Sequence, residues 1–385
     1  MIYESACEPS DAKSSRSTRR ARGLLLLSAL LACYATGPPE VDAACTSGRC
    51  PDAVAVAAVR ARAAAECDCV LAESNGAYLQ CVKGVVLAAV DEGVLPKRCR
   101  TRLLRCERAG ACGEAVSGFT ESGGVRIHHV SMGEGPLVVM IHGFPDYWYT
   151  WRHQMAVLAD DHQVVAIDTR GYNLSDQPAG IGQYFLPGLV NDVAAVIGDF
   201  GRTSATIVGH DWGAAIAWGV GMLRPDLVDG LVILSVPHPQ AFQDELANNP
   251  DQAAASAYAR AFQAEGSHLG LTATALAALA SGGDDVDLYV EAFERSDFEA
   301  MMNYYKANFP QAPYVENAAP IAKVPGPLLL IHGLADFALL ASGHNDAWDY
   351  VDGDLTMLML PGVGHWVQRE APEAVSRAIA DWLAR

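Results

Sequence analysis

No cysteine follows Cys112, no Gly-x-Ser-x-Gly pentapeptide occurs anywhere, and cations are scarce, with 27 Lys and Arg against 45 Asp and Glu. Each shortage excludes something. The missing pentapeptide removes a serine nucleophile on the sharp strand-to-helix turn where hydrolytic serines are commonly presented. A formal charge of -18 argues against nucleic acid or anionic lipid as partners, because both need clustered Lys and Arg. The apolar run at residues 24–32 is far shorter than the roughly 20 residues that span a bilayer. Crowding all ten cysteines into the first 112 residues divides the chain into a part built for oxidation and a thiol-free globular part.

What is present starts with export. Lys13, Arg16, Arg19, Arg20 and Arg22 precede residues 24–32, and a basic stretch followed by a short apolar one is a secretory signal. Residues 1–32 are therefore expected to be a signal peptide, with the mature protein periplasmic or in the outer cell envelope. The signal ends in Leu30-Leu31-Ala32-Cys33, which resembles the lipobox of bacterial lipoproteins and makes Cys33 a candidate lipidation site. Ordinary cleavage near Ala44 is the alternative. Either way eight cysteines remain, Cys45, Cys50, Cys67, Cys69, Cys81, Cys99, Cys106 and Cys112. Four disulfides would absorb them in any of 105 connectivities.

Residues 33–44 lack periodicity and read as a tether, and residues 45–117 as a small helical module with helices expected near 53–66, 78–90 and 99–105. So short a module makes a thin core, which disulfides would staple. It contains neither His nor Cys-x-x-Cys, so no metal site is expected.

From residue 118 to 385 the pattern changes. Edge-like Gly124-Val-Arg-Ile-His-His-Val is followed by continuous apolar runs at 136–142, 163–168, 204–208, 231–235, 327–332 and 355–360. Helical spacing lies between them at 148–159, 185–200 and 215–223, and again at 372–383. Buried strands alternating with helices predict an α/β fold with a mostly parallel sheet. The rhythm breaks at about 237–319, where only helical pattern remains. Such an insertion is expected to fold as a cap over the carboxyl ends of the strands, where ligands bind.

Val208-Gly-His-Asp-Trp-Gly is the centre of this domain. Strand, glycine-flanked turn and apolar helix make a nucleophile elbow, and its central residue is Asp211. A carboxylate attacking an acyl carbon would make an anhydride, whereas attack on a saturated carbon makes an ester that water can cleave. Asp211 therefore points to epoxide opening or halide displacement; the bland reading is an Asp that caps the following helix. Beyond the two late strands lie Asp336 in Gly333-Leu-Ala-Asp and His365 in Gly362-Val-Gly-His-Trp. The order nucleophile, acid, histidine is that of the α/β-hydrolase fold, with Asp346 and Asp349 as fallback acids.

Oxyanion donors are expected from the N–H groups of Phe144 and Trp212. The Phe144-Pro145 bond is a candidate cis peptide. His142, Pro145, His210 and Trp366, which flank these groups, are expected to line the substrate pocket.

Taken together, His142-Gly-Phe-Pro, the stretch Asp168-Thr-Arg-Gly-Tyr-Asn-Leu-Ser-Asp-Gln-Pro178, the Asp211 elbow, Gly333-x-x-Asp-x-x-Leu and Gly364-His-Trp-Val-Gln-x-Glu resemble the epoxide hydrolases of the α/β-hydrolase fold. The resemblance runs from about residue 124 to 385 and omits the cysteine-rich module. It implies two cap tyrosines that donate to the epoxide oxygen, matched here by Tyr305, in Asn303-Tyr-Tyr-Lys306, and by Tyr258. It implies a small-molecule epoxide as partner, a vicinal diol as product, and no cofactor. Related haloalkane and haloacid dehalogenases use the same nucleophile. Phe144 stands where the haloalkane enzymes carry a halide-binding Asn, and Trp212 stands where fluoroacetate dehalogenases carry Arg, so both departures favour the epoxide. A non-catalytic binding protein on the same scaffold is the alternative of another class.

Overall fold

The computed structural model describes residues 53–67, 75–100, 103–104, 115–283 and 285–385. The expected signal, tether and lipobox, together with Cys33, Cys45, Cys50, Cys69, Cys106 and Cys112, lie outside them.

Among the described residues the N-terminal module shows helices α1 (Ala53–Glu66) and α2 (Asn75–Asp91) and a short 3-10 turn at Lys97–Cys99, with Arg100, Leu103 and Leu104 helical within the third helix expected over 99–105. Val56, Val59 and Ala63 of α1 pack with Val82, Val86 and Ala89 of α2 and with Leu95, Cys99 and Leu103. These small side chains make a modest core, and a disulfide from Cys67 to Cys81 ties the end of α1 to α2 across a Cα separation of 5.7 Å. Cys99 is disulfide-bonded as well.

The larger domain opens with an antiparallel hairpin of β1 (Val116–Ser122) and β2 (Val125–Met132). Then come β3 (Leu137–Ile141), β4 (Gln163–Ile167), β5 (Ala205–His210), β6 (Val228–Leu234), β7 (Leu328–Gly333) and β8 (Leu355–Leu360). They form an eight-stranded sheet in the order β1-β2-β4-β3-β5-β6-β7-β8, parallel from β4 to β8. β3, β5 and β7 are buried along their whole length, as continuous apolar runs in a doubly covered sheet require. β3 lies between β4 and β5, so the chain leaves it toward both edges. The crevice at that switch point is where open α/β sheets bind ligands, and the strands on its two sides lead to Phe144 and Asp211.

Helices α3 (Arg152–Leu158), α4 (Leu186–Asp199) and α5 (Trp212–Leu223) alternate with these strands. A single helix was expected over 148–159, but its first turn is a separate 3-10 turn at Trp148–Trp151 whose Trp148 N–H donates 2.9 Å to Asp168 Oδ1. Between β6 and β7 lie α6 (Pro239–Asn248), α7 (Pro250–Ala255), α8 (Ala257–Phe262), α9 (Ala273–Ala280), α10 (Val286–Glu294) and α11 (Phe298–Asn308). Asn249, Thr272 and Asp297 cap their helices through side-chain oxygens. The helical part of the cap ends at Asn308 rather than near 319, because Pro310, Pro313 and Pro320 cannot continue it. After β8 the chain closes with α12 (Val367–Glu370) and α13 (Pro372–Leu383), the latter burying Val375, Ile379 and Trp382.

Candidate active site

The elbow is made by two glycines at which a Cβ would force the neighbouring backbone to move. A Cβ on Gly209 would collide with the Gly213 carbonyl, and a Cβ on Gly213 with the carbonyl of Ile141 at the end of β3. The close approach of β5, α5 and β3 leaves Asp211 at the apex with φ of 52° and ψ of -123°. A non-glycine residue at positive φ persists only where its surroundings overdetermine it, and such strain gathers at functional sites. The Asp211 side chain makes no capping bond to α5, which removes the helix-cap reading.

Asp211 Oδ1 instead accepts the Phe144 N–H at 2.7 Å. Its Oδ2 faces His365 Nε2 at 3.5 Å, an ion pair rather than a hydrogen bond. His365 Nδ1 lies 2.8 Å from Asp336 Oδ2, and Asp336 Oδ1 accepts the N–H groups of Ala338 and Leu339 at 2.8 and 3.0 Å. The nucleophile, histidine and acid inferred from sequence thus stand in one line, all buried. Trp212 begins α5, so its N–H belongs to the first turn, whose amides have no intrahelical acceptor.

The charges follow from this geometry. Burial disfavours the charged His365 ring, but the Asp336 and Asp211 carboxylates override it and raise its pKa from the ordinary 6.5 to about 10. Burial likewise opposes ionisation of Asp211 and Asp336, yet His365 and the main-chain N–H donors leave both below the usual carboxylate range. The resting site is carboxylate, imidazolium, carboxylate.

Tyr305 is buried, its ring edge-on to Phe144 at 5.6 Å, to Trp212 at 5.1 Å and to Phe262 at 5.1 Å. Tyr258, half-buried, stands 6.2 Å from Tyr305. Burial, reinforced by the nearby Asp211 charge, pushes both phenols above their ordinary range, so both keep the proton they would donate. Tyr304 turns away and donates to the Arg170 carbonyl at 2.8 Å.

The four residues expected to line the pocket are deployed differently. The Phe144-Pro145 bond is cis, and Trp366 packs edge-on against His365 at 5.0 Å. His142 bonds through Nδ1 to the Gly143 carbonyl at 2.8 Å and accepts the Thr169 N–H on Nε2 at 3.0 Å, so its ring joins two loops. His210 donates from Nε2 to the His365 carbonyl at 2.9 Å, and burial lowers its pKa to about 3, keeping it neutral. Ser235 Oγ donates to the same carbonyl at 3.0 Å. Sequence reasoning missed this clamp on His365; the visible signal was a serine directly after β6, at the carboxyl ends of the strands, where the site lies.

Asp168 is another buried carboxylate near the crevice. Arg170 beside it makes a paired contact with Asp192 at 2.6 and 2.7 Å. The cap grips this turn through Arg295 Nε to Asn173 Oδ1 at 2.8 Å and Asp297 N–H to the Gly171 carbonyl at 3.1 Å.

The chain matches the alpha/beta hydrolase fold family over residues 136–372. It is 30% identical over 285 residues to epoxide hydrolase 3 of Xenopus tropicalis, covering 68% of this chain and 75% of the other. It is 31% identical over 318 residues to epoxide hydrolase A of Mycobacterium tuberculosis, covering 70% of this chain and 98% of the other. A crystal structure of a mutant epoxide hydrolase from Bacillus megaterium, 30% identical, superposes with a TM-score of 0.65 over 70% of this chain and 100% of that one. With an Asp on the elbow and a His–Asp pair beside it, the chain belongs to the epoxide hydrolases of the α/β-hydrolase fold family.

Proposed function

We propose that this chain hydrolyses epoxides to vicinal diols through a hydroxyalkyl ester on Asp211. The observation that carries the reading is the seating of the Asp211 carboxylate between the Phe144 N–H and His365, beside the Tyr305 ring. In the first half-reaction an Asp211 oxygen attacks an epoxide carbon, and the carbon–oxygen bond of the ring breaks. Tyr305 and Tyr258 donate to the departing oxygen, which leaves as a hydroxyl. Esterification removes the Asp211 charge and with it part of what holds the proton on His365. His365 passes that proton to the phenolate left by the donating tyrosine and, now neutral, takes a proton from water, which attacks the Asp211 carbonyl carbon while the Phe144 and Trp212 N–H groups hold the oxyanion. Collapse releases the diol and restores the carboxylate.

A substrate panel of styrene oxide-like epoxides, haloalkanes and haloacetates tests this on the purified protein. Diol without halide release supports the reading. Halide release alone would make the chain a dehalogenase, and turnover of nothing would make it a binding protein.

Export to the periplasm or outer envelope, with a lipid anchor at Cys33, is proposed on the basic and apolar stretches before that residue. The disulfides at Cys67 and Cys99 support an oxidising compartment. Each buried CH₂ of an acyl chain contributes about 0.8 kcal/mol, and two chains hold where one does not. Cys33→Ser should therefore move active enzyme into the soluble fraction. A wild type already soluble with its N-terminus near Cys45 would remove the anchor.

A further inference from the structure

Strands β1, β2 and β4, none of which carries Asp211, Asp336 or His365, assemble a second hydroxyl, imidazole and carboxylate. Ser117 Oγ lies 2.9 Å from His128 Nε2, and His128 Nδ1 lies 2.7 Å from Asp168 Oδ2. Asp168 also accepts the Trp148 N–H on Oδ1 at 2.9 Å and the Asn173 side-chain amide on Oδ2 at 2.7 Å. Every partner of this carboxylate is a donor, so His128 Nδ1 carries a proton toward it. In the neutral ring the lone pair then falls on Nε2, facing the Ser117 hydroxyl.

Hydroxyl, imidazole and carboxylate in that order, with both contacts at hydrogen-bond length, form the arrangement that activates a serine. Placement completes it. His128 and Asp168 are fully buried, and the His128 main-chain N–H is fixed on Ser175 Oγ at 2.8 Å, whereas Ser117 is exposed on the outermost strand. Phe119, two residues along and so on the same face of β1, is 47% exposed, with its ring 5.3 Å from that of His128. The Arg126 guanidinium lies over this ring at 5.2 Å, and the exposed remainder of the ring is an apolar surface beside the hydroxyl.

We infer that Ser117 is a second nucleophile, activated by His128 and oriented by Asp168, that accepts acyl groups from small uncharged aryl esters. Its oxygen forms a bond to the ester carbonyl carbon, its proton passes to His128 Nε2, and the bond to the aryl oxygen breaks to release the phenol. Water then attacks the acyl-serine with His128 as base, giving the carboxylic acid and free Ser117. Successive strand residues turn their N–H groups alternately toward and away from the neighbouring strand, so one of Ser117 and Gly118 presents an outward amide to the oxyanion. One donor in place of two slows turnover by about 10²–10³-fold. The expected behaviour is therefore rapid acylation followed by slow release.

The test uses the full oxidised protein and p-nitrophenyl acetate, reading the nitrophenolate burst and mapping the acetyl group by peptide mass. The expected result is a burst of about one equivalent with the adduct on Ser117, present also in Asp211→Asn, absent in Ser117→Ala and at least tenfold slower in His128→Gln. Because His128 is buried and its variant can fail to fold, the wild-type pH profile is a second readout. An imidazole-activated hydroxyl labels at a rate that reaches a plateau, whereas an unassisted one rises in proportion to hydroxide throughout. No adduct on Ser117, an undiminished rate in folded His128→Gln, or a profile without a plateau would each overturn the inference. The same three residues acting only to tie β1 to the Asp168 turn predict those outcomes.

Discussion

The Phe144 N–H stands 2.7 Å from Asp211 Oδ1, so the amide that steadies the resting carboxylate is already placed for the oxyanion formed when its ester is hydrolysed. On the proposed mechanism water attacks the carbonyl carbon of Asp211 and not the alkyl carbon that came from the epoxide. Single turnover in ¹⁸O-water is accordingly expected to put label into the Asp211 carboxylate, read by peptide mass spectrometry. Labelled diol with an unlabelled Asp211 peptide would end the covalent mechanism.

On the proposed mechanism His365 acts as base only in the second half-reaction, while the attack on the epoxide needs an ionised Asp211 and the tyrosine donors but no base. His365→Gln should still be alkylated by one equivalent of epoxide and then stop, with steady-state turnover lower by at least about 10²-fold. Intact mass after brief exposure should show protein plus one epoxide. Unmodified protein would mean that His365 is needed for the first step as well.

Stability should carry the charge pattern of the site. The folded His365 pKa, about 10, lies above its ordinary 6.5, so its contribution is fully present below 6.5 and lost as pH rises through 10. Asp211 and Asp336 are shifted the other way, so theirs is present above the ordinary carboxylate pKa of 3.8 and lost on acidification. Thermal melts over roughly pH 5 to 10 should show the wild type weakening on the alkaline side. In His365→Gln that alkaline slope should flatten; an unchanged slope would show that the ring is not charged at neutral pH.

Two tyrosines at adjacent positions should separate cleanly. On the proposed mechanism Tyr305→Phe and Tyr258→Phe each remove a donor to the leaving oxygen and are expected to slow alkylation by about 10²-fold. The Tyr304 hydroxyl is engaged by the Arg170 carbonyl, so Tyr304→Phe should lower stability by about 1 kcal/mol and leave alkylation within a factor of about three. Pre-steady-state quench of bound epoxide distinguishes them. Equal losses at Tyr304 and Tyr305 would mean that the phenols act through packing alone.

Asp211, Asp336, His365 and the Phe144 loop were legible because each sits in a short motif whose residue types the local geometry demands. The strands were legible because parallel sheets bury continuous apolar runs. β1 was not, since Val116-Ser-Gly-Phe-Thr-Glu-Ser lacks apolar alternation. It is a strand because β2 pairs along all of it and Thr120 Oγ1 donates to Asp199 Oδ2 at 2.7 Å. The supports of His365 were equally hidden. His210 and Ser235 reach its carbonyl across 155 and 130 residues of chain, a separation that no periodicity records. The Ser117, His128 and Asp168 group was hidden for the same reason, its members lying on β1, on β2 and just after β4, which only the sheet order brings together.

Gly213 gives the sharpest test of the elbow. Glycine inside a helix ordinarily costs about 0.5–1 kcal/mol against alanine, so propensity alone predicts that Gly213→Ala stabilises α5. The packing predicts the opposite, because the added Cβ would overlap the Ile141 carbonyl and come within 2.7 Å of that of His142. Both belong to backbone that leads into the Phe144 loop, so relief of the clash must move the amide that serves Asp211. Gly213→Ala is expected to lose about 1–3 kcal/mol and to lose turnover by more than its folded fraction explains. Gly198→Ala, in the last turn of α4 with nothing within 4 Å of the added carbon, should gain a few tenths of a kcal/mol and keep turnover. Chemical denaturation beside initial-rate assays of both variants decides the matter: if Gly213→Ala is as stable and active as Gly198→Ala, the close approach of β3 and α5 does not set the position of the oxyanion amide.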